Sequence, residues 1–243
     1  MRSSARLAAL AGVSATAAYV AHAAPVLASN RPLRTHLLPR LAGIGRAGHV
    51  ALTFDDGPDP ASTPAFLTEL DRLGWKATFF MLGSMTRRAP GLAKEVVAAG
   101  HEVAVHGDEH RYEIARSPWA VADDVHRAFA TLAETTGSAP RFSRPPYGVL
   151  STAGLMTARR LALAPVLWTA WGRDWRSDAT PESVMVDLAR DLRSGGTVLL
   201  HDSDCTSAPG SWRAALGALP LLAEQCAAAG LEVGPLADHG IAA

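Results

Sequence analysis

From His49 onward the chain alternates short apolar runs with longer stretches of helical periodicity, about seven times over. HVALTF (49–54), KATFFML (76–82), EVAVH (102–106), RFSRPPYG (141–148), APVLWTAW (164–171), TVLLHD (197–202) and LEVGPL (231–236) read as strands. Helical patterns fall between them at 61–73, 86–99, 117–136, 151–161, 181–193 and 211–229. Two of these open on a capping residue followed by proline, Ser117-Pro118 and Thr180-Pro181. Such alternation implies a parallel sheet whose strands are joined by helices. It suits a closed or nearly closed barrel as well as an open doubly wound sheet. No domain boundary follows residue 48.

With 243 residues, 48% of them hydrophobic, the chain can bury one sizeable core. Its 23 basic and 23 acidic side chains cancel, so no net positive field favours a nucleic-acid partner. Cys205 and Cys226 are the only cysteines and lack Cys-x-x-Cys spacing, which argues against a disulfide framework or a thiolate zinc site. A single bridge between the two remains open at this level.

The first thirty residues carry Arg2 and Arg6 and then run from Leu7 to Ala28 without a formal charge. Residues 1–28 therefore read as a signal peptide or an N-terminal membrane anchor, since a bilayer crossing needs about 20 apolar residues. Arg31, Arg34, Arg40 and Arg46 follow the span and weigh against the anchored form of an exported chain. The expected location is secreted or membrane-anchored, outside the cytoplasm. Residues 29–47, with Pro32, Pro39 and several arginines, read as a linker ahead of a single domain at 48–243.

Titratable groups gather at the strand ends. Asp55 and Asp56 close the first strand, His106 the third, Arg144 the fourth; Asp174 follows the fifth and His201 ends the sixth. The carboxyl ends of parallel strands share one face, so these dispersed residues should converge there. His106 and His110 with one carboxylate make a three-ligand set with an open position, the arrangement of catalytic zinc. A second carboxylate beside the metal can deprotonate water, and a histidine opposite can protonate a leaving amine. Asp55 and Asp56 are adjacent, so an ideal strand would point them to opposite faces, and the Gly57-Pro58 turn must bend the chain for both to serve. His106-Gly-Asp-Glu-His110 also matches the H-x-x-E-H of inverzincin peptidases, with Glu109 as base. That reading needs a long helix, whereas Glu102 to His106 alternates like a strand and Gly107 disfavours helix by about 1 kcal/mol.

Five short motifs carry a family resemblance: Thr53-Phe-Asp-Asp-Gly-Pro58, His106-x-x-x-His110, Arg144-Pro-Pro-Tyr-Gly148, Asp174-Trp175 and Leu199-Leu-His201. In this order they make the chain resemble the polysaccharide deacetylases, the NodB-homology domain of carbohydrate esterase family 4. The resemblance implies an α/β fold, a distorted (β/α)7-type barrel, and hydrolysis of N-acetyl groups on amino-sugar polymers or oligosaccharides such as peptidoglycan or chitin. It implies one divalent metal, Zn²⁺ first with Co²⁺ or Mn²⁺ as alternatives, on Asp56, His106 and His110. Asp55 is then the base and His201 the acid, oriented by Arg144 and Asp174 respectively. The Tyr147 backbone N–H would stabilise the oxyanion, and Trp175 and Leu199 would line the acetyl pocket.

Two positions depart from the family pattern. Gly107 stands where the family has Ser or Thr, and Trp171 where it has an acid. The first questions the rigidity of the metal loop. The second offers a ring for a sugar face, or simply packing against Trp168 or Trp175. An O-acetyl esterase or another amide hydrolase would use the same residues, whereas a non-catalytic glycan-binding protein would have lost Asp55 or His201.

Overall fold

A computed structural model describes residues 16–241. The first fifteen residues of the expected export segment lie outside them. Among the described residues no helix is long and apolar enough to cross a membrane.

Eight parallel strands form one sheet: β1 (His49–Asp55), β2 (Thr78–Met81), β3 (Glu102–Val105), β4 (Phe142–Ser143), β5 (Ala164–Pro165), β6 (Ala170–Trp171), β7 (Thr197–His201) and β8 (Glu232–Gly234). Their order is β5-β4-β3-β2-β1-β7-β6. β1 pairs with β7 along one edge and divides the other, Thr53–Asp55 going to β2 and His49–Ala51 to β8. Besides the helical residues 16–23, the helices are α1 (Arg31–Leu37), α2 (Thr63–Leu73), α3 (Gly83–Arg88), α4 (Pro90–Ala98), α5 (Pro118–Thr136), α6 (Thr152–Arg160), α7 (Pro181–Ala189) and α8 (Trp212–Ala228). Ser117 and Thr180 cap α5 and α7 as their sequence positions imply. The expected helix over 86–99 is instead two, α3 and α4. Pro90 disfavours helical backbone at the residue before it, and Ala89 has φ −136°.

The sheet ends, β5 and β6, belong to one stretch of chain, which makes the barrel nearly closed and distorted. The strand expected over 164–171 breaks at residues 166–169. Val166 donates its N–H to the Ser143 carbonyl on one side of the seam and Thr169 donates to Thr197 on the other, while Leu167 donates to Leu41. Residues 41–43 thus plug the seam. At Gly43 (φ +75°) a Cβ would lie 2.7 Å from Thr197 Oγ1, so the close approach needs glycine. This corrects the expectation of a linker at 29–47: the segment holds α1, buries Arg34 and fills the gap that an irregular strand leaves.

Strand parity builds the core and the site together. Val50, Leu52 and Phe54 face the helices and pack with Phe66, Phe79 and Leu200. Each such buried side chain contributes about 1.5–3 kcal/mol. The alternate residues face inward, Ala51 packing with Phe80, Ala104 and Phe142. A period of two carries that inner set on to Asp55 in β1, to His106 beyond Ala104 and to His201 beyond Leu199.

Candidate active site

β1 ends at Asp55, whose register partner across the sheet is His201. Asp56 then takes a left-handed φ of +81°, a conformation that aspartate tolerates better than most residues. This breaks the strand alternation and brings its carboxylate to the same side as Asp55. Asp56 Oδ2 accepts from the Thr206 hydroxyl at 2.6 Å. Oδ1 is buried, has no hydrogen-bond partner, and lies 3.3 Å from His106 Nε2 and 3.4 Å from His110 Nε2.

The two imidazoles are prepared to donate lone pairs. His106 Nδ1 is 2.9 Å from the Arg144 carbonyl, so this nitrogen donates there and Nε2 is the atom turned toward Asp56. Burial pulls the pKa of His110 down to about 4 against the charge of Asp56, leaving the ring neutral. Burial also pushes the Asp56 carboxyl upward, but the approach of His106 and the nearby charge of His201 hold it below the usual range. The ligand atoms of Asp56, His106 and His110 all lie within 4.8 Å of one another. An orphaned buried carboxylate oxygen between two imidazole nitrogens is the donor set of a divalent cation, so the residues present fit a metal.

Beside this cluster stands Asp55, 3.7 Å from His106 Nε2. Its Oδ1 accepts from Arg144 Nη1 at 2.6 Å. Arg144 is fully buried against the Phe80 ring and also donates to Thr53 Oγ1 and to the carbonyls of Val166 and Leu167. It therefore satisfies the carbonyls of the broken strand while fixing Asp55. His201 donates Nδ1–H to Asp174 Oδ1 at 3.1 Å, and its backbone N–H donates to Oδ2 at 2.7 Å. Burial lowers the affinity of His201 for its proton, but Asp174 outweighs that, with help from Asp56 and Asp55, and the pKa is pushed up to about 10.

The loop from His106 to His110 is held without the hydroxyl residue that the resemblance implies at position 107. Gly107 has φ +94°, and a Cβ there would meet Asp124 Oδ2 at 3.1 Å. Asp124 accepts from the Asp108 N–H at 2.7 Å, and the Asp108 side chain is gripped by Arg87. The carbonyls of Gly107 and Asp108 accept from the first N–H groups of α3. Glu109 lies outside any helix, half-exposed and paired with Arg111. The base of the peptidase pattern is therefore turned away into a surface ion pair.

A cavity of about 440 Å³ opens over these groups. Asp55, His106, His110, Tyr147, Trp175, Leu199 and His201 line it, while Asp56, Arg144 and Asp174 support it from behind. All ten residues singled out in the sequence thus come together. Tyr147 is left-handed (φ +60°), half-exposed, stacked on Tyr112 at 3.8 Å and edge-on to His110 at 4.3 Å. Trp171 packs between Trp168 (5.7 Å) and Trp175 (6.2 Å), and all three rings face the cavity. Sequence reading missed Tyr112, Thr206 and Asp124. Only a motif could have marked them, because each reaches the site through a long-range contact. Cys205 and Cys226 are both free thiols.

Comparison with known proteins agrees with this geometry. The polysaccharide deacetylase family model matches residues 43–166. The chain is 37% identical to the peptidoglycan-N-acetylglucosamine deacetylase of Bacillus cereus over 155 residues, 63% of this chain and 72% of the relative. It is 36% identical to the chitooligosaccharide deacetylase of Bradyrhizobium over 198 residues, 77% of this chain and 88% of the relative. Among solved structures, a peptidoglycan N-acetylglucosamine deacetylase in complex with 4-naphthalen-1-yl-N-oxidanyl-benzamide superposes with a TM-score of 0.76 at 26% identity. That superposition covers 83% of this chain and 92% of the other.

Proposed function

The chain belongs to the polysaccharide deacetylase family and is a deacetylase; from that premise we propose that it hydrolyses N-acetyl groups of an amino-sugar polymer or oligosaccharide, peptidoglycan or chitin-like, with a divalent metal. The observation that carries this reading is the pairing of two held groups in one cavity: Asp55 fixed by Arg144, and His201 fixed by Asp174, beside the Asp56–His106–His110 cluster.

Asp56, His106 and His110 would hold the metal, Zn²⁺ first and Co²⁺ or Mn²⁺ as alternatives, because imidazole and carboxylate suit all three. When bound, the cation supplies the positive charge that polarises the acetyl carbonyl and acidifies water. Asp55 accepts the proton of the attacking water as the new C–O bond forms at the acetyl carbon. The backbone N–H of Tyr147 donates to the developing oxyanion, and Leu199 and Trp175 enclose the methyl group. His201, kept protonated by Asp174, gives its proton to the amide nitrogen as the C–N bond breaks. Acetate and the free amine leave. The same reading places the protein outside the cytoplasm, secreted or held at the membrane, which the uncharged stretch from Leu7 to Ala28 supports.

Acetate release from N-acetylglucosamine tetramers, peptidoglycan fragments and O-acetylated xylan tests the assignment. Release from the amides in preference to the ester is expected. Turnover confined to the O-acetyl substrate would reassign the enzyme to an esterase.

A further inference from the structure

The active-site cavity shares a wall with a second cavity of about 360 Å³. Tyr147, Gly148, Trp168 and Trp171 line both. The remainder of the second cavity is bounded chiefly by four arginines, Arg31, Arg34, Arg173 and Arg190, against two aspartates, Asp187 and Asp191.

The pairing inside it uses up the acids. Arg31 pairs with Asp191, and Arg190 with Asp187 at 2.6 Å. Arg176 takes the other oxygen of Asp187 at 3.3 Å. Arg34 and Arg173 have no carboxylate partner among the described residues. Arg34 is 4% exposed, yet it donates only to the carbonyls of Ser29 and Trp168, and its Nε has no acceptor. Burial, with the charges of Arg31 and Arg144, lowers its pKa to about 10. A buried guanidinium without a counterion is costly, and charged groups so placed are ordinarily paired. Trp171 Nε1, in the shared wall, is likewise buried without an acceptor. Arg173 is exposed, stands over the Trp171 ring at 5.8 Å and is held in a left-handed conformation, φ +51°. Arg31 and Arg34 belong to α1, upstream of the segment that the family model matches.

We propose that this second cavity is a subsite for an anionic substituent, a carboxylate or a phosphate, on the sugar adjoining the one that is deacetylated. The inference rests on the deacetylase reading of the neighbouring cavity. Arg34 supplies the uncompensated positive charge of the wall, and Arg173 is the exposed donor that meets the anion. The indole faces of Trp168 and Trp171 carry the pyranose ring between the two sites.

Three sets of N-acetylglucosamine oligomers test it by calorimetry and by acetate release. One set carries a carboxylate on the flanking sugar, at C6 or as a 3-O-lactyl ether; one carries a 6-phosphate; one is the methyl amide of each carboxylate. The anionic oligomers should bind about tenfold tighter than their neutral counterparts, with the difference in KM rather than kcat, and the preference should shrink as salt is raised. The better of the two anions identifies the source. Arg173→Asn keeps the left-handed backbone and should abolish most of the preference, raising KM for the anionic oligomers far more than for the neutral one. Equal affinity for anionic and neutral oligomers would overturn the subsite while the deacetylase stands. Binding is measured without turnover, so a protein inactive on every oligomer counts against the deacetylase reading alone, and the calorimetric preference still decides the subsite.

Discussion

His106 donates its Nδ1–H to the backbone carbonyl of Arg144 at 2.9 Å, while the guanidinium of that same arginine grips Asp55 at 2.6 Å. One residue therefore sets the tautomer of a proposed metal ligand with its backbone and the position of the proposed base with its side chain. Arg144→Lys should lower kcat about 100-fold with little loss of metal, because an ammonium cannot span Asp55, Thr53 and two carbonyls. Kinetics beside metal analysis check this; a kcat near the wild-type value would show that Asp55 needs no such support.

Asp55→Asn should retain the metal and lose about 10²–10⁴-fold in kcat. Asp56→Asn should instead lose the metal, since Asp56 supplies the only carboxylate oxygen of the cluster. Metal content measured on both variants separates the roles, and an active Asp55→Asn enzyme would remove the base from the mechanism.

Chelation should abolish acetate release, and Zn²⁺ or Co²⁺ should restore it. The folded cluster would bind the ion and the unfolded chain does not hold these ligands together, so metal should also raise the melting temperature. Full activity after exhaustive chelation would exclude the proposed centre.

Gly107→Ala places a Cβ at φ +94° and against Asp124 Oδ2. It should cost about 1–2 kcal/mol of stability and weaken metal affinity about 10–100-fold, because the loop between the two histidines must shift. Titration with Zn²⁺ under a competing chelator measures the second effect. An unchanged affinity would mean that the loop backbone does not position the ligands.

Glu113 is buried beneath this loop and accepts from Ser151 N–H and Oγ–H. Burial pushes its carboxyl up to about 7, the Ser151 hydrogen bonds opposing. Between its ordinary value near 4.5 and about 7, the folded state holds a proton that the unfolded chain has lost. Stability should therefore fall as pH rises through that window and level off above it. Glu113→Gln keeps an acceptor for Ser151 and should flatten this dependence. Melting temperatures of the two proteins at pH 5 and pH 8 decide it, and parallel curves would refute the shift.

Much of the site was legible because its members sit at the ends of strands, where the two-residue period of β1, β3 and β7 fixes which side chains face inward. His106 and His201 follow from parity; Asp56 does not, since its left-handed backbone leaves no trace in periodicity. Helix boundaries followed capping residues at Ser117 and Thr180. The broken strand at 166–169 was hidden because APVLWTAW is apolar apart from Thr169 and its carbonyls are satisfied from outside the sheet, by Arg144 and Arg34. For the same reason the arginine-bearing segment ahead of the domain read as a linker. Its partners, Trp168 and Asp191, lie more than a hundred residues away in sequence.

The division of the β1 edge between β2 and β8 has a consequence for synthesis. During translation the innermost strand of the sheet emerges with only β2 near it in sequence, while β7 and β8 are still to be made. Pairing across such separations is slow to form. The two carboxylates at the tip of β1 consequently acquire their surroundings only once β7 and Thr206, 150 residues beyond Asp56, have joined them, so the site is completed late in the assembly of the sheet.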